Sequence, residues 1–293
     1  MIMADKSKID WTDATWNPMT GCTKVSPGCD HCYAETLANR FAGSAVAGFP
    51  DGFAVTLRQN KVGLPLRWRR PRRIFVTSMG DLFHDQVSDE FIVECFAVMA
   101  TAHWHTFQLL TKRHARMRSL LGDDEFRQMV CSEVATLAHE GVDIVTGPNP
   151  WEHWPLPNVW VGVSVETQQW ADIRIPVLLD TPAAVRWLSC EPLLGKVDLD
   201  RWICRRDRPD WVVAGGESGA SARPVHHEWV QSLRDQCVDA NVPFFFKQWG
   251  GRAPKARGRE LDGRTWNQYP TANDPVPIQP PATSPVVTPE PEG

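Results

Sequence analysis

Nowhere in the 293 residues does an apolar run approach the ~18 positions of a membrane span. The opening stretch, MIMADKSKIDW, lacks the apolar centre of a secretion signal. The expectation is a soluble, cytoplasmic protein with no membrane partner, whose cysteines serve as thiols or metal ligands rather than disulfides. Charge of one sign is also missing. Lys and Arg number 31 against 35 Asp and Glu, a net charge of −4, so any nucleic-acid contact must rest on a local basic patch. No G-x-G-x-x-G follows the first strand pattern, which leaves a dinucleotide-binding sheet without support. The last 24 residues, PTANDPVPIQPPATSPVVTPEPEG, hold eight prolines and no aromatic ring. Such a composition cannot pack a core and reads as a disordered tail over 270–293, following a folded domain over 1–269.

What the chain does have is 42% hydrophobic residues, enough for a core, and fourteen tryptophans. Short apolar runs alternate with helical patterns. RRIFVTSMGD (72–81), HTFQLLTKR (105–113), NVWVGVSVE (158–166), AVRWLSCEP (184–192), DWVVAGGES (210–218) and PFFFKQWGG (243–251) read as strands. DATWNPMTG before them supplies a possible first strand, and CYAETLANRFAG the first helix. DEFIVECFAVMATA (89–102), a region from about Arg116 to Glu140, WADIRIPVLLDTP and HEWVQSLRDQCVDANV (227–242) read as further helices. This alternation predicts parallel βαβ units, and the strands are apolar on both faces, as buried parallel strands are. The expected fold is α/β, a complete or partial (β/α) barrel of about six to seven parallel strands. Residues 121–157 exceed an ordinary crossover and read as an insertion whose Pro/Trp-rich end covers the barrel mouth.

Polar clusters close nearly every strand: Ser78 and Asp81; Thr111, Lys112 and Arg113; Ser164 and Glu166; Ser189 and Glu191; Glu217 and Ser218; Lys247 and Gln248. In a (β/α) barrel those ends ring one mouth, where the site lies. Residues two apart on a strand share a face, so Ser164 with Glu166, and Ser189 with Glu191, are expected to point inward. The plainer reading, polar turns that simply end strands, explains one such cluster better than six in succession.

Three of eight cysteines, Cys22, Cys29 and Cys32, lie within eleven positions as C-x6-C-x2-C, and no fourth follows nearby. They fall between the first strand and the first helix, at the same rim. Structural zinc wants four closed ligands, and His31, adjacent to Cys32, is awkwardly placed to be the fourth. A four-iron cluster on three thiolates leaves one iron open to a small molecule. Coincidence is the third alternative.

An iron–sulfur cysteine triad just after the first strand of a (β/α) barrel resembles the radical S-adenosylmethionine (SAM) superfamily. The commonest triad there has three residues in the first gap; this chain has six, while its C-x2-C half matches. More narrowly, TWNPMTGCTKVSPGCDHCYAE with the later LSCEPLLG, GGESG and FFFKQWG is similar to a family of phage and bacterial proteins of unknown function, over about residues 9–252. The superfamily resemblance implies a 4Fe–4S cluster on Cys22, Cys29 and Cys32. It also implies SAM as second cofactor, a flavodoxin- or ferredoxin-like electron donor, and hydrogen abstraction from a substrate. The turn TSMGD then sits where the superfamily holds the SAM amino group, offering Ser78, Met79, Gly80 and Asp81. Lys112 or Arg113 suits the SAM carboxylate, and Ser164 and Glu166 suit its ribose. Gly215 and Gly216 let backbone approach adenine or substrate.

Later in the barrel, Glu191, Glu217, Arg223, Lys247 and Trp249 are substrate-side candidates. His226 and His227 at a helix start, and His103 and His105 at a strand start, fit structural roles better. LRWRRPRR (66–73) puts five arginines and a tryptophan in eight residues. It reads as a nucleic-acid contact or as a solvated crossover. The expected function is a radical SAM enzyme acting on a nucleic-acid base or nucleotide, as a phage setting favours. A zinc-stabilised nucleic-acid-binding protein and a barrel hydrolase using strand-end glutamates are the alternatives.

Overall fold

A computed structural model describes residues 7–43, 49–142, 150–253 and 255–270. Seven strands form one sheet: β1 (Ala14–Trp16), β2 (Arg73–Val76), β3 (Thr106–Thr111), β4 (Val159–Ser164), β5 (Val185–Cys190), β6 (Trp211–Gly215) and β7 (Phe244–Gln248). They lie side by side in sequence order and all pair in parallel. The main helices are α1 (Tyr33–Arg40), α2 (Asp89–Thr101), α3 (His114–Leu121), α4 (Asp124–His139), α5 (Gln168–Leu179) and α6 (His227–Asp239). Strand β1 pairs only with β2, and β7 only with β6 within this sheet, so the barrel is partial. The outer edge of β7 is covered from the chain's end: Phe246 N–H donates to Trp266 O and Gln268 N–H to Phe244 O. That pairing protects an edge that would otherwise expose a row of free backbone groups.

The pleat sorts side chains into two cores. Ile74, Val76, Val159, Val161, Val163, Val212, Ala214, Phe244 and Phe246 face the helices. Phe75, Trp160, Trp187, Trp211, Val213 and Phe245 face the concave side, where Trp11 from the N-terminal segment joins them. Trp11 meets Phe75 at 4.7 Å, Trp187 at 5.3 Å and Trp211 at 6.1 Å, all edge-on. Gly162 makes room for this packing, because a Cβ there would lie 2.4 Å from the Trp187 ring. Four of the fourteen tryptophans therefore fill the half-barrel.

Residues 143–149 of the insertion lie outside the described residues. Its described part packs at the end opposite the mouth: Trp154 donates from Nε1 to Leu121 O and meets Phe96 and Phe126, each at 6.2 Å. The reason is topological, since a segment leading into β4 must arrive at that strand's N-terminal end. The arginine run likewise precedes β2 and lies away from the mouth. Arg67, Arg69 and Arg70 are exposed there, while Trp68 is half-buried, its carbonyl accepting from Trp104 Nε1. His105 is buried at that same end against Pro65 O. Of the proline-rich stretch 270–293, all but Pro270 lies outside the described residues. No helix among the described residues is long and apolar enough to cross a membrane.

Candidate functional site

Each strand's concave face changes character toward its C-terminal end. Phe75 is followed by Thr77, Leu110 by Lys112, Trp160 and Gly162 by Ser164, Trp187 by Ser189 and Glu191, and Phe245 by Lys247. These polar positions line a cavity of about 640 Å³ whose floor includes Trp11, Phe75 and Leu110. Cys22, Cys29 and Cys32 all line it. Two polar atoms in its wall, Ser189 Oγ and Glu191 Oε1, are buried with no hydrogen-bond partner. The other Glu191 oxygen takes Lys247 Nζ at 2.9 Å.

The cysteine segment is tied down at several points. Pro27–Cys29 forms a single 3-10 turn, and Cys32 opens α1. On one side Ser26 Oγ donates to Glu166 Oε1 at 2.6 Å, while the other carboxylate oxygen of Glu166 takes Arg174 Nη1 at 2.8 Å. Glu166 and Arg174 are both fully buried. Gly28 lies so close to this carboxylate that a Cβ would sit 2.5 Å from Oε1. On the other side His31 Nδ1 meets Glu217 Oε2 at 3.1 Å. Arg223 grips Glu217 from Nη2 at 2.6 Å and also donates to Pro27 O at 2.7 Å. Near Cys22, Thr23 Oγ1 accepts from Arg113 Nη2 at 2.7 Å and meets His84 Nε2 at 2.9 Å.

Electrostatics follow from these partners. Burial, reinforced by Asp81, pushes the Cys22 thiol up to about 12, so the free thiol is neutral until a positive centre draws off its proton. Burial works against the charged form of Glu217, but Arg223, through side chain and backbone, and His31 outweigh it and hold this carboxyl below the ordinary range. Arg174 is shifted down by burial, with Glu166 opposing that shift.

Of the residues expected at the site, Ser78, Gly80, Asp81, Lys112, Ser164, Glu191, Gly216, Glu217 and Lys247 line the cavity. The Asp81 carboxylate is largely spoken for, accepting from Thr111 Oγ1, Lys112 N–H and Phe83 N–H. Six others sit elsewhere. Glu166, expected at a ribose, is sealed beneath the cysteine segment, because the strand ends at Ser164 and the chain then turns toward Arg174. Arg113 reaches Thr23 instead of the cavity. Met79 packs with Ala34 and Ala38, its N–H held by Asn17 Oδ1. Gly215 lies behind Glu191. Arg223 serves the cysteine segment, and Trp249 turns outward, stacking on His227 at 5.6 Å and donating to Glu260 O.

Sequence reasoning passed over Asn17, Ser26 and Arg174. Arg174 left a signal: it is the lone cation in the apolar helical run ADIRIPVLL. Ser26 left only its place between the cysteines. Thr77 is a β-branched residue at φ 58°, a strained conformation at the turn into Ser78 and Asp81. Among the described residues no group of three His, Cys, Asp or Glu is gathered to hold a single metal ion.

The sequence model of a family described as Protein of unknown function (DUF5131) matches residues 6–270, and the chain belongs to that family. No curated protein and no solved structure matches the chain.

Proposed function

We propose that this DUF5131 member is a radical SAM enzyme. Cys22, Cys29 and Cys32 would hold a 4Fe–4S cluster, and the adjoining cavity would hold SAM and a substrate. The observation that carries the reading is three thiols from one anchored segment on the wall of a cavity at the strands' C-terminal ends. Three thiolates on one segment suit a four-iron cluster with one iron left open, where each sulfur takes a different iron. His31, the imidazole nearest to hand for a zinc site, is engaged by Glu217.

A 4Fe–4S cluster held by Cys22, Cys29 and Cys32, reduced by a flavodoxin- or ferredoxin-like donor, would supply the electron for reductive cleavage of SAM and so the means of hydrogen abstraction from substrate. The chain's own residues bind and shield. Ser78 and the backbone at Gly80 offer acceptors for an ammonium. Lys112, held by Ser164 Oγ at 3.0 Å, offers a cation for a carboxylate. The floor of Trp11, Phe75 and Leu110 keeps water from the reacting atoms.

The test is purification without oxygen. A brown protein with about four iron per chain, losing its iron on Cys29→Ala and converting SAM to 5′-deoxyadenosine when reduced, is the expected result. A colourless protein holding one zinc, or turnover untouched by Cys29→Ala, would overturn the reading.

A further inference from the structure

The cavity's chemistry is layered, and the layers match one class of molecule. At the bottom the lining is apolar and aromatic, Trp11 and Phe75, their rings inclined at 66°. On the wall above them, Ser189 Oγ and Glu191 Oε1 are buried without partners, and Ser189 is only 1% exposed. Lys247 stands beside Glu191. A hydroxyl, a carboxylate oxygen and an ammonium together read a ligand edge bearing both donors and acceptors. At the outer rim, the segments entering β1 and leaving β7 add Lys8, Arg252 and Lys255, all exposed. They stand where the partial barrel is open, and Lys255 Nζ bridges that gap to Asp10 at 2.9 Å. The chain carries a net charge of −4, yet the cavity is lined by five Lys or Arg against three carboxylates. The rim therefore carries a local excess of positive charge that can receive an anion.

We propose that the substrate is a nucleotide unit. Its base enters over Trp11 and Phe75, its polar edge meets Ser189, Glu191 and Lys247, and its phosphate rests on Lys8, Arg252 and Lys255. This rests on the reading of the cavity as the reaction chamber. A base extruded from a strand and a free nucleotide present the same chemistry. The arginine run at the opposite end has no part in it.

The experiment is binding of the intact, as-purified protein to a fluorescent single-stranded oligonucleotide and to the 5′-mononucleotides, with iron measured on each preparation. The Lys8→Ala, Arg252→Ala, Lys255→Ala triple variant is expected to weaken oligonucleotide binding at least about tenfold and to flatten the log–log salt slope by about 2. Its iron content should not change. Ser189→Ala and Glu191→Gln should instead alter the preference among bases at constant salt slope. Preference for the oligonucleotide assigns the unit to a strand; preference for mononucleotides assigns it to free nucleotides; either supports the proposal. Equal binding by parent and triple variant, no binding of either probe, or equal competition by polyglutamate overturns it. Iron present with no binding refutes this inference alone, whereas binding without iron in any reconstituted sample refutes the cluster reading alone.

Discussion

Replacing Glu166 separates the things that one carboxylate does. It neutralises a fully buried guanidinium, Arg174, it accepts from Ser26 in the cysteine segment, and it faces Lys112 Nζ at 3.6 Å. Removing one partner of a buried ion pair strands the other charge, at about 3–5 kcal/mol. That is a large share of the roughly 5–15 kcal/mol that holds a domain folded. Glu166→Gln keeps the shape and an oxygen for Ser26, so it should cost about 3 kcal/mol in urea unfolding of metal-free protein while leaving iron uptake intact. Glu166→Ala should cost as much and also lower iron per chain, because Ser26 loses its anchor. Arg174 Nε and Nη2 have no partner, so the pair is incompletely satisfied. Replacing both members together, Glu166→Gln with Arg174→Met, should therefore recover most of the lost stability. A Glu166→Gln protein within about 1 kcal/mol of the parent would refute the buried-charge argument. A Glu166→Ala protein with full iron would refute the anchoring argument.

Gly28→Ala places a methyl against the Glu166 carboxylate and should push the cysteine segment off the rim, read as faster loss of iron to a chelator at unchanged secondary structure; equal loss rates would count against it. Gly162→Ala drives a methyl into the Trp187 ring and should cost about 1–3 kcal/mol, with a shift in tryptophan emission that reports the disturbed interior. Burial lowers His105 from its ordinary 6.5 to about 4, so the fold holds it neutral while the unfolded chain takes up a proton. Its contribution is complete above pH 6.5 and lost progressively down to about 4, about 3 kcal/mol in all. The slope of unfolding free energy against pH across that window should flatten in His105→Gln; an unchanged slope would exclude this histidine as its source.

The strands were legible because buried parallel strands must be short apolar runs, and all seven fall where such runs predict them. Barrel closure was not legible: whether β7 meets β1 depends on the curvature of the whole sheet, and no local residue marks it. The cysteines were found by spacing alone, whereas their anchors come from 61 to 196 positions away, as in Thr23 with His84 and Pro27 with Arg223. Strand alternation held one residue past the strand at Glu191, which lines the cavity, and failed at Glu166, two residues past the end of β4, where the chain has already turned away.

That boundary also says why the site sits where it does. Below it the concave face is filled by Trp160, Trp187, Trp211 and Phe245, which admit neither water nor ligand. Above it the same face turns polar, and the side chains there have too few neighbours to satisfy one another. Lys112 finds Ser164 and Lys247 finds Glu191, but Ser189 Oγ and the second Glu191 oxygen are left over. A buried polar atom without a partner costs about 1–3 kcal/mol, so a ligand that pairs with both relieves that cost. A purely apolar ligand would leave both atoms unpaired, and a purely accepting one would serve only the serine. The occupant must therefore present a donor to Glu191 within reach of a group for Ser189, on a body that suits the apolar lining of Trp11, Phe75 and Leu110.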